Sequence, residues 1–140
     1  MPAFQKIILV LSATFIFSAT PAGAQGIDIG QREYTSHCAF CHGLEGKGDG
    51  PSAKMLRTKV ADLTVLQKNN KDVFPFKRIY EVIDGRDAVA AHGSRDMPVW
   101  GEVYNREAAD WSLPPGISQE AFVRARILSL VEYISRLQQK

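Results

Sequence analysis

The chain has 140 residues, a formal net charge of +2, 45% hydrophobic residues and two cysteines. This length is enough for one domain and too short for two. The small net charge says little about partners. We expect one small domain, and no nucleic-acid partner is predicted for it.

The first residues resemble a secretory leader. Lys6 precedes an apolar run over Ile7–Phe17, and the small residues Ala22-Gly23-Ala24 follow it. A retained membrane anchor is the alternative, but the run is shorter than the about 20 apolar residues that a spanning helix needs. We predict a cleaved signal peptide over residues 1–24, a domain over residues 25–140, and no later segment that spans a membrane.

The domain is predicted to begin with a helix. Asp28, with a glutamine three positions later, resembles a capping box, so the helix would cover about Ile29–Phe40. Gly30 costs stability inside a helix, which indicates close approach by another element. Gly30, Tyr34 and Cys38 are spaced one turn apart and therefore share one face.

The helix leads into the motif Cys38-Ala39-Phe40-Cys41-His42, which contains both cysteines of the chain. C-x-x-C-H is the attachment pattern of a c-type haem. The thiols of Cys38 and Cys41 add to the two haem vinyl groups as thioethers, and His42 then lies where it can bind the iron. In a small domain with a limited core, a buried porphyrin would also support folding.

Other interpretations of the two cysteines remain open. They could form a redox-active disulfide of thioredoxin type, or a structural disulfide whose loop is too short to stabilise much. A structural zinc site needs four ligands, and only His37, His92 and carboxylates remain to complete one. Haem attachment agrees with export, because c-type haem is joined to proteins outside the cytoplasm, although a disulfide would also persist there.

The motif is followed by a glycine-rich segment, residues 43–51, which is expected to be an irregular loop. It lacks the strand and the Gly-Lys-Ser/Thr ending of a phosphate-binding loop. The carbonyl of Pro51 is one candidate acceptor for the second ring nitrogen of His42. Residues 52–73 are predicted to be loop with one short helical turn.

A second amphipathic helix is predicted over about residues 75–84, with Pro75 in its first turn and Gly85 at its C-terminal cap. It is expected to pack against the haem edge. Residues 102–116 are predicted to be loop with at most one short helix. Four side chains are equally possible donors to a haem propionate, and ordinary packing or solvation is the alternative for each: Arg86, Arg95, Trp100 and Trp111.

Met97 is the predicted second axial ligand. Pro98 biases it toward an extended backbone, from which its thioether could reach an open haem face. Such His/Met ligation raises the reduction potential. Alternatively, Met97 fills the core, and His92 or Met55 occupies the axial position.

The last predicted helix begins after Ser118, which is a suitable N-cap. Its apolar stripe is expected to pack on the face of Gly30 and Tyr34, with Tyr133 or Leu130 close to the glycine. Its arginines lie on other faces. The stripe consists of Phe122, Val123, Ile127, Leu130, Val131, Ile134 and Leu137.

Together these features resemble the class I monohaem c-type cytochromes over nearly all of residues 25–140. The matching residues are Cys38, Cys41, His42 and Met97, together with the glycine and the aromatic residue of the first helix. The resemblance implies a small all-α cytochrome c fold, with three to five helices around one covalent haem and the terminal helices packed across each other. It also implies transfer of single electrons at an exposed haem edge.

Charged residues are unevenly distributed. Residues 47–78 contain eight basic and three acidic side chains, whereas residues 79–117 contain seven acids and three arginines. Two ordinary solvated surfaces are the simpler interpretation. A dipole that orients the protein toward a redox partner is the alternative.

The predicted function is single-electron transfer in the periplasm, by a diffusible carrier between a donor and an acceptor redox protein, rather than catalysis. A permanent haem subunit of a dehydrogenase or oxidase complex is the main alternative, so the chain could be a monomer or part of an assembly. Catalysis at an open iron is less favoured, because four-helix cytochromes of that kind carry the motif near the C-terminus. Disulfide exchange would need a strand-rich βαβ setting.

Overall fold

The computed structural model describes residues 26–85 and 97–139, which are all-helical and contain no strand. This confirms the predicted all-α class. The predicted signal peptide lies outside the described residues, as do Arg86, His92 and Arg95. Five α-helices are described: α1 (Ile29–His37), α2 (Ala39–His42), α3 (Phe76–Asp84), α4 (Trp100–Asp110) and α5 (Gln119–Arg136).

The helix predicted over residues 29–40 is divided in two. The Asp28 carboxylate accepts a hydrogen bond from the Gln31 N–H at 2.9 Å, which confirms the N-cap. α1 ends at His37, and Cys38 caps it by donating its N–H to the Tyr34 carbonyl at 2.8 Å. The motif Cys38–His42 therefore begins at the break and continues on the single turn of α2.

The terminal helices α1 and α5 pack against each other, as predicted. The side chains of Tyr34, Ile127 and Leu130 in this interface are fully buried. A Cβ atom on Gly30 would overlap the carbonyl oxygen of Ser129 and lie 2.9 Å from the Cβ of Tyr133. The glycine thus allows the close approach that its position indicated.

The segment between α2 and α3 is irregular. Residues 53–55, 63–65 and 68–70 form 3₁₀ turns, where one short turn was predicted. α3 begins after Pro75, and Gly85 ends it in the left-handed conformation with φ of 93°. The second predicted helix and its C-terminal cap are confirmed, but its start lies one residue later, because Pro75 is the N-cap and not part of the first turn.

The prediction for residues 102–116 needs correction, because α4 is a helix of 11 residues. Its N-cap, Val99, provides no side-chain hydrogen bond. Only Gly101, Tyr104 and Ala108 are buried in it. The usual sequence indications of a helix start and of a broad apolar face are therefore missing.

α5 has 18 residues and packs against α1, α3 and α4. The hydroxyl of Ser118 accepts a hydrogen bond from the Ala121 N–H at 3.1 Å, which confirms the predicted N-cap. Among the described residues, no helix has the length and apolar character required to cross a membrane.

Candidate haem site

The single turn of α2 holds the motif together. The N–H groups of Cys41 and His42 both donate to the carbonyl of Cys38, at 3.1 and 2.8 Å. The two thiols are half-buried and are not joined in a disulfide. They are thus presented one helical turn apart, with His42 directly after the second.

The ring of His42 is oriented by a backbone carbonyl. Its Nδ1 atom lies 3.1 Å from the carbonyl oxygen of Ala61. With Nδ1–H as the donor, Nε2 keeps its lone pair and can bind a metal. Burial lowers the pKa of His42, against the opposing effect of the Ala61 bond, and so favours the neutral imidazole that acts as a ligand.

The acceptor differs from the candidate suggested by the sequence, because Ala61 and not Pro51 provides the carbonyl. Ala61 follows the glycine-rich loop, 19 residues after His42. Every residue offers a carbonyl, so the side chain of Ala61 gave no indication of this contact.

The glycine-rich loop completes the hydrogen bonds of α2. The N–H groups of Gly48, Gly50 and Ser52 donate to carbonyls of α2 at 2.8, 3.1 and 3.1 Å. The acceptors are respectively the carbonyls of His42, Cys41 and Phe40. The loop therefore caps the helical turn that carries the motif.

Tyr34 connects α1 to the residue after the motif. Its side chain is fully buried, and its hydroxyl donates to the carbonyl of Gly43 at 2.7 Å. Gly43 directly follows His42 and has φ of 80°. This bond fixes the end of α2 relative to α1.

Replacement of Tyr34 by phenylalanine removes this hydrogen bond. The carbonyl of Gly43 would keep a second donor, the Gly46 N–H at 3.2 Å. We therefore expect a loss near the lower limit for a buried unpaired group, about 1 kcal/mol in the free energy of unfolding. Guanidinium denaturation of the holoprotein measures it. Tyr80→Phe, at a half-buried tyrosine of α3, is the control, and an equal loss in both variants would contradict a specific role for this bond.

The environment of Cys38 is unfavourable for thiol–disulfide exchange. Burial, and then the charge of Glu33, raise the pKa of the Cys38 thiol to about 12. The thiol is consequently protonated at neutral pH, whereas exchange requires a thiolate. Cys41 lies 3.2 Å from the hydroxyl of Ser52, which itself donates to the carbonyl of Phe40. The site resembles an attachment point more than a redox-active dithiol.

The two candidate methionines differ in their packing. Met97 is half-buried against the core, three residues before α4 begins. Met55 is 74% exposed at the end of a 3₁₀ turn. This difference favours Met97 as the residue held in a defined position, while the third candidate, His92, lies outside the described residues.

Several large apolar side chains in the stretch of chain from α2 to the start of α3 are exposed. Such surface is unusual within a small soluble domain and suits contact with a hydrophobic macrocycle. It accompanies free thiols and an oriented imidazole, so the chemistry of this region fits a covalent haem. The exposed residues between α2 and the start of α3 are Phe40, Leu44, Met55, Val73 and Phe76.

The two tryptophans occupy different environments. Trp100 is half-buried, with its ring centroid 5.0 Å from that of His37. Trp111 is exposed and contacts Phe122, with centroids 5.9 Å apart. Within residues 26–85 and 97–139, no group of three or more His, Cys, Asp or Glu side chains is arranged to hold a metal ion.

A protein-family model described as cytochrome c oxidase, cbb3-type, subunit III matches residues 25–112, well over half of the chain. The chain belongs to this family of c-type cytochromes. Membership implies a covalently bound haem and a role in electron transfer. The match contains α1 to α4 and ends before α5, although α5 packs on three of those helices. No curated protein and no solved structure matches the cytochrome.

Proposed function

We propose that this protein is a class I monohaem cytochrome that transfers single electrons in the periplasm, after removal of residues 1–24 as a signal peptide. Cys38 and Cys41 would attach one haem c, and His42 and Met97 would supply the ligands of its iron. The observation that supports this most strongly is the orientation of His42 by the Ala61 carbonyl directly after two free thiols.

The haem, when bound, supplies a one-electron couple. The polypeptide keeps the ligands in place as the charge changes. The Ala61 carbonyl holds the imidazole of His42, and the N–H groups of Gly48, Gly50 and Ser52 hold the turn that contains it. A site fixed by so many hydrogen bonds rearranges little. The thioether of Met97 would raise the reduction potential relative to a second nitrogen ligand.

We infer that the protein acts as a diffusible carrier between a donor and an acceptor redox protein. The matched family is named after an oxidase subunit, which favours a second candidate, a permanent haem subunit of such a complex. Size-exclusion chromatography of a mild-detergent extract separates the two. A carrier elutes near the mass of the single chain, whereas a subunit elutes with a large complex that carries further haem.

The proposed ligation predicts the optical spectrum. The reduced protein should show a c-type spectrum, and the oxidised protein should show the weak far-red band of a methionine–iron bond. Met97→Ala should abolish this band and lower the reduction potential, because the thioether ligand is lost. Optical spectroscopy and a redox titration of the purified holoprotein measure both.

Met55→Ala is the matched control, since Met55 is exposed and should leave the band unchanged. A haem protein without the band would refute methionine ligation and would favour His92 or an open iron. Absence of covalent haem would refute the whole proposal.

A further inference from the structure

One partly buried guanidinium connects three helices. It belongs to Arg126 on α5, whose side chain is 13% exposed. It donates to Glu33 of α1 at 2.7 Å and makes a second short bond to Glu107 of α4. Glu33 is 10% exposed and Glu107 is 35% exposed. The sequence pattern assigned Arg126 to the polar faces of the last helix, but its charge is paired inside the fold.

Aromatic contacts strengthen the junction that Arg126 forms with Glu33 and Glu107. The guanidinium of Arg126 lies 4.1 Å from the ring centroid of Tyr104, which is fully buried in α4. The rings of Trp100 and Tyr104 lie 5.0 and 6.0 Å from that of His37, the last residue of α1. The start of α4 is thereby held against the end of α1.

The position of this junction along the chain suggests its role. α1 leads directly into Cys38 and the turn that carries His42, whereas α4 begins three residues after Met97. The two carboxylates that Arg126 joins therefore belong to the helices next to the two proposed iron ligands. A change in the position of α4 relative to α1 would move Met97 relative to His42.

A contribution to the free energy of unfolding is a weak explanation for the ion pairs of Arg126. Burying charges has a large desolvation cost, and apolar replacements of similar volume often stabilise a protein equally well. A forked guanidinium with two fixed acceptors does provide orientation, because it requires both carboxylates to lie in defined places. A geometric role explains this choice of residues better than a contribution to the core.

We propose that Arg126 is a positioning residue, which fixes the place of α4 relative to α1 through Glu33 and Glu107 and so holds Met97 at the iron. This inference rests on the proposed His42/Met97 ligation. Its consequence is that loss of the link weakens the methionine–iron bond in protein that is still folded. Arg126 need not contact the haem for this effect.

Exogenous imidazole, which competes with Met97 for the ferric iron, tests the proposal. Arg126→Met holoprotein should bind imidazole about tenfold more tightly than the unchanged protein, corresponding to about 1.4 kcal/mol. Glu107→Gln should shift the affinity in the same direction, because it weakens only the α4 side of the link: the amide oxygen can still accept from the guanidinium, but the carboxylate charge is lost. Arg126→Lys should fall between, since an ammonium lacks the guanidinium fork. The exposed Arg124 gives the control variant Arg124→Met.

The possible failures are distinguishable. If the protein without substitutions lacks the far-red band of a methionine–iron bond, the proposed ligation by Met97 is itself refuted. If the band is present, but the folded Arg126→Met and Glu107→Gln proteins bind imidazole as the unchanged protein does, the positioning role is refuted. If Arg126→Met does not fold, Glu107→Gln decides, because Glu33 still pairs with the arginine there. A purely structural role would lower the free energy of unfolding and leave the imidazole affinity unchanged.

Discussion

Gly50→Ala is expected to reduce both the stability of the holoprotein and the yield of attached haem. A Cβ atom at this position would lie 2.5–2.7 Å from the carbonyl oxygens of Ala39, Phe40 and Cys41. These are backbone atoms of the turn that carries the motif, so the contact cannot be relieved by rotating a side chain. The turn would have to deform, and with it the spacing of the two thiols.

The expected size follows from two opposing effects. Overpacking against backbone costs about 3 kcal/mol at the upper end of its usual range. The reduced freedom of the unfolded chain returns at most about 1 kcal/mol. The free energy of unfolding should therefore fall by about 2 kcal/mol, a large share of the 5–15 kcal/mol typical of small domains.

Denaturant unfolding of the holoprotein gives the loss of stability, and haem-specific staining relative to total protein gives the attachment yield. Gly26→Ala is the matched control, because a Cβ there would have no atom within 4 Å. If Gly50→Ala unfolds and loads haem like the Gly26→Ala variant, the close approach of the loop to α2 does not matter for the site.

The features that sequence reasoning recovered depend on local interactions. The caps at Asp28, Ser118 and Gly85 involve residues only a few positions apart, so a short pattern identifies them. The same is true of the spacing of Cys38, Cys41 and His42, which is a property of one helical turn. The assignment of these residues to haem binding remains a prediction that the geometry supports.

The features that could not be predicted from the sequence depend on long-range contacts. The carbonyl of Ala61 belongs to a residue whose side chain has no role in the bond. Arg126 and Glu33 are 93 residues apart, and each taken alone resembles an ordinary solvated charge. α4 lacks a capping side chain, and tertiary packing around Tyr104 stabilises it instead. No local sequence pattern distinguishes this carbonyl, this ion pair or this helix from an ordinary carbonyl, a solvated charge or a loop.

The sequence predicted that another element approaches closely at Gly30, but only the structure shows which atoms would make alanine unfavourable there. In an isolated helix, alanine would be more stable than glycine by about 1 kcal/mol. In this fold, the added carbon would overlap the Ser129 carbonyl and lie 2.9 Å from the Cβ of Tyr133. The two backbones would have to separate, and the fully buried side chains of Tyr34 and Leu130 would lose contacts.

We therefore expect Gly30→Ala to lower the free energy of unfolding by about 2 kcal/mol, since overpacking of about 3 kcal/mol exceeds the gain in helix propensity. Denaturant unfolding of the holoprotein measures this value, again with Gly26→Ala as the control. The sign of the change is decisive. A more stable Gly30→Ala protein would mean that helix propensity dominates and that α1 and α5 do not meet as closely as described. A less stable one would mean that packing between the terminal helices determines the stability of the helix that leads into Cys38.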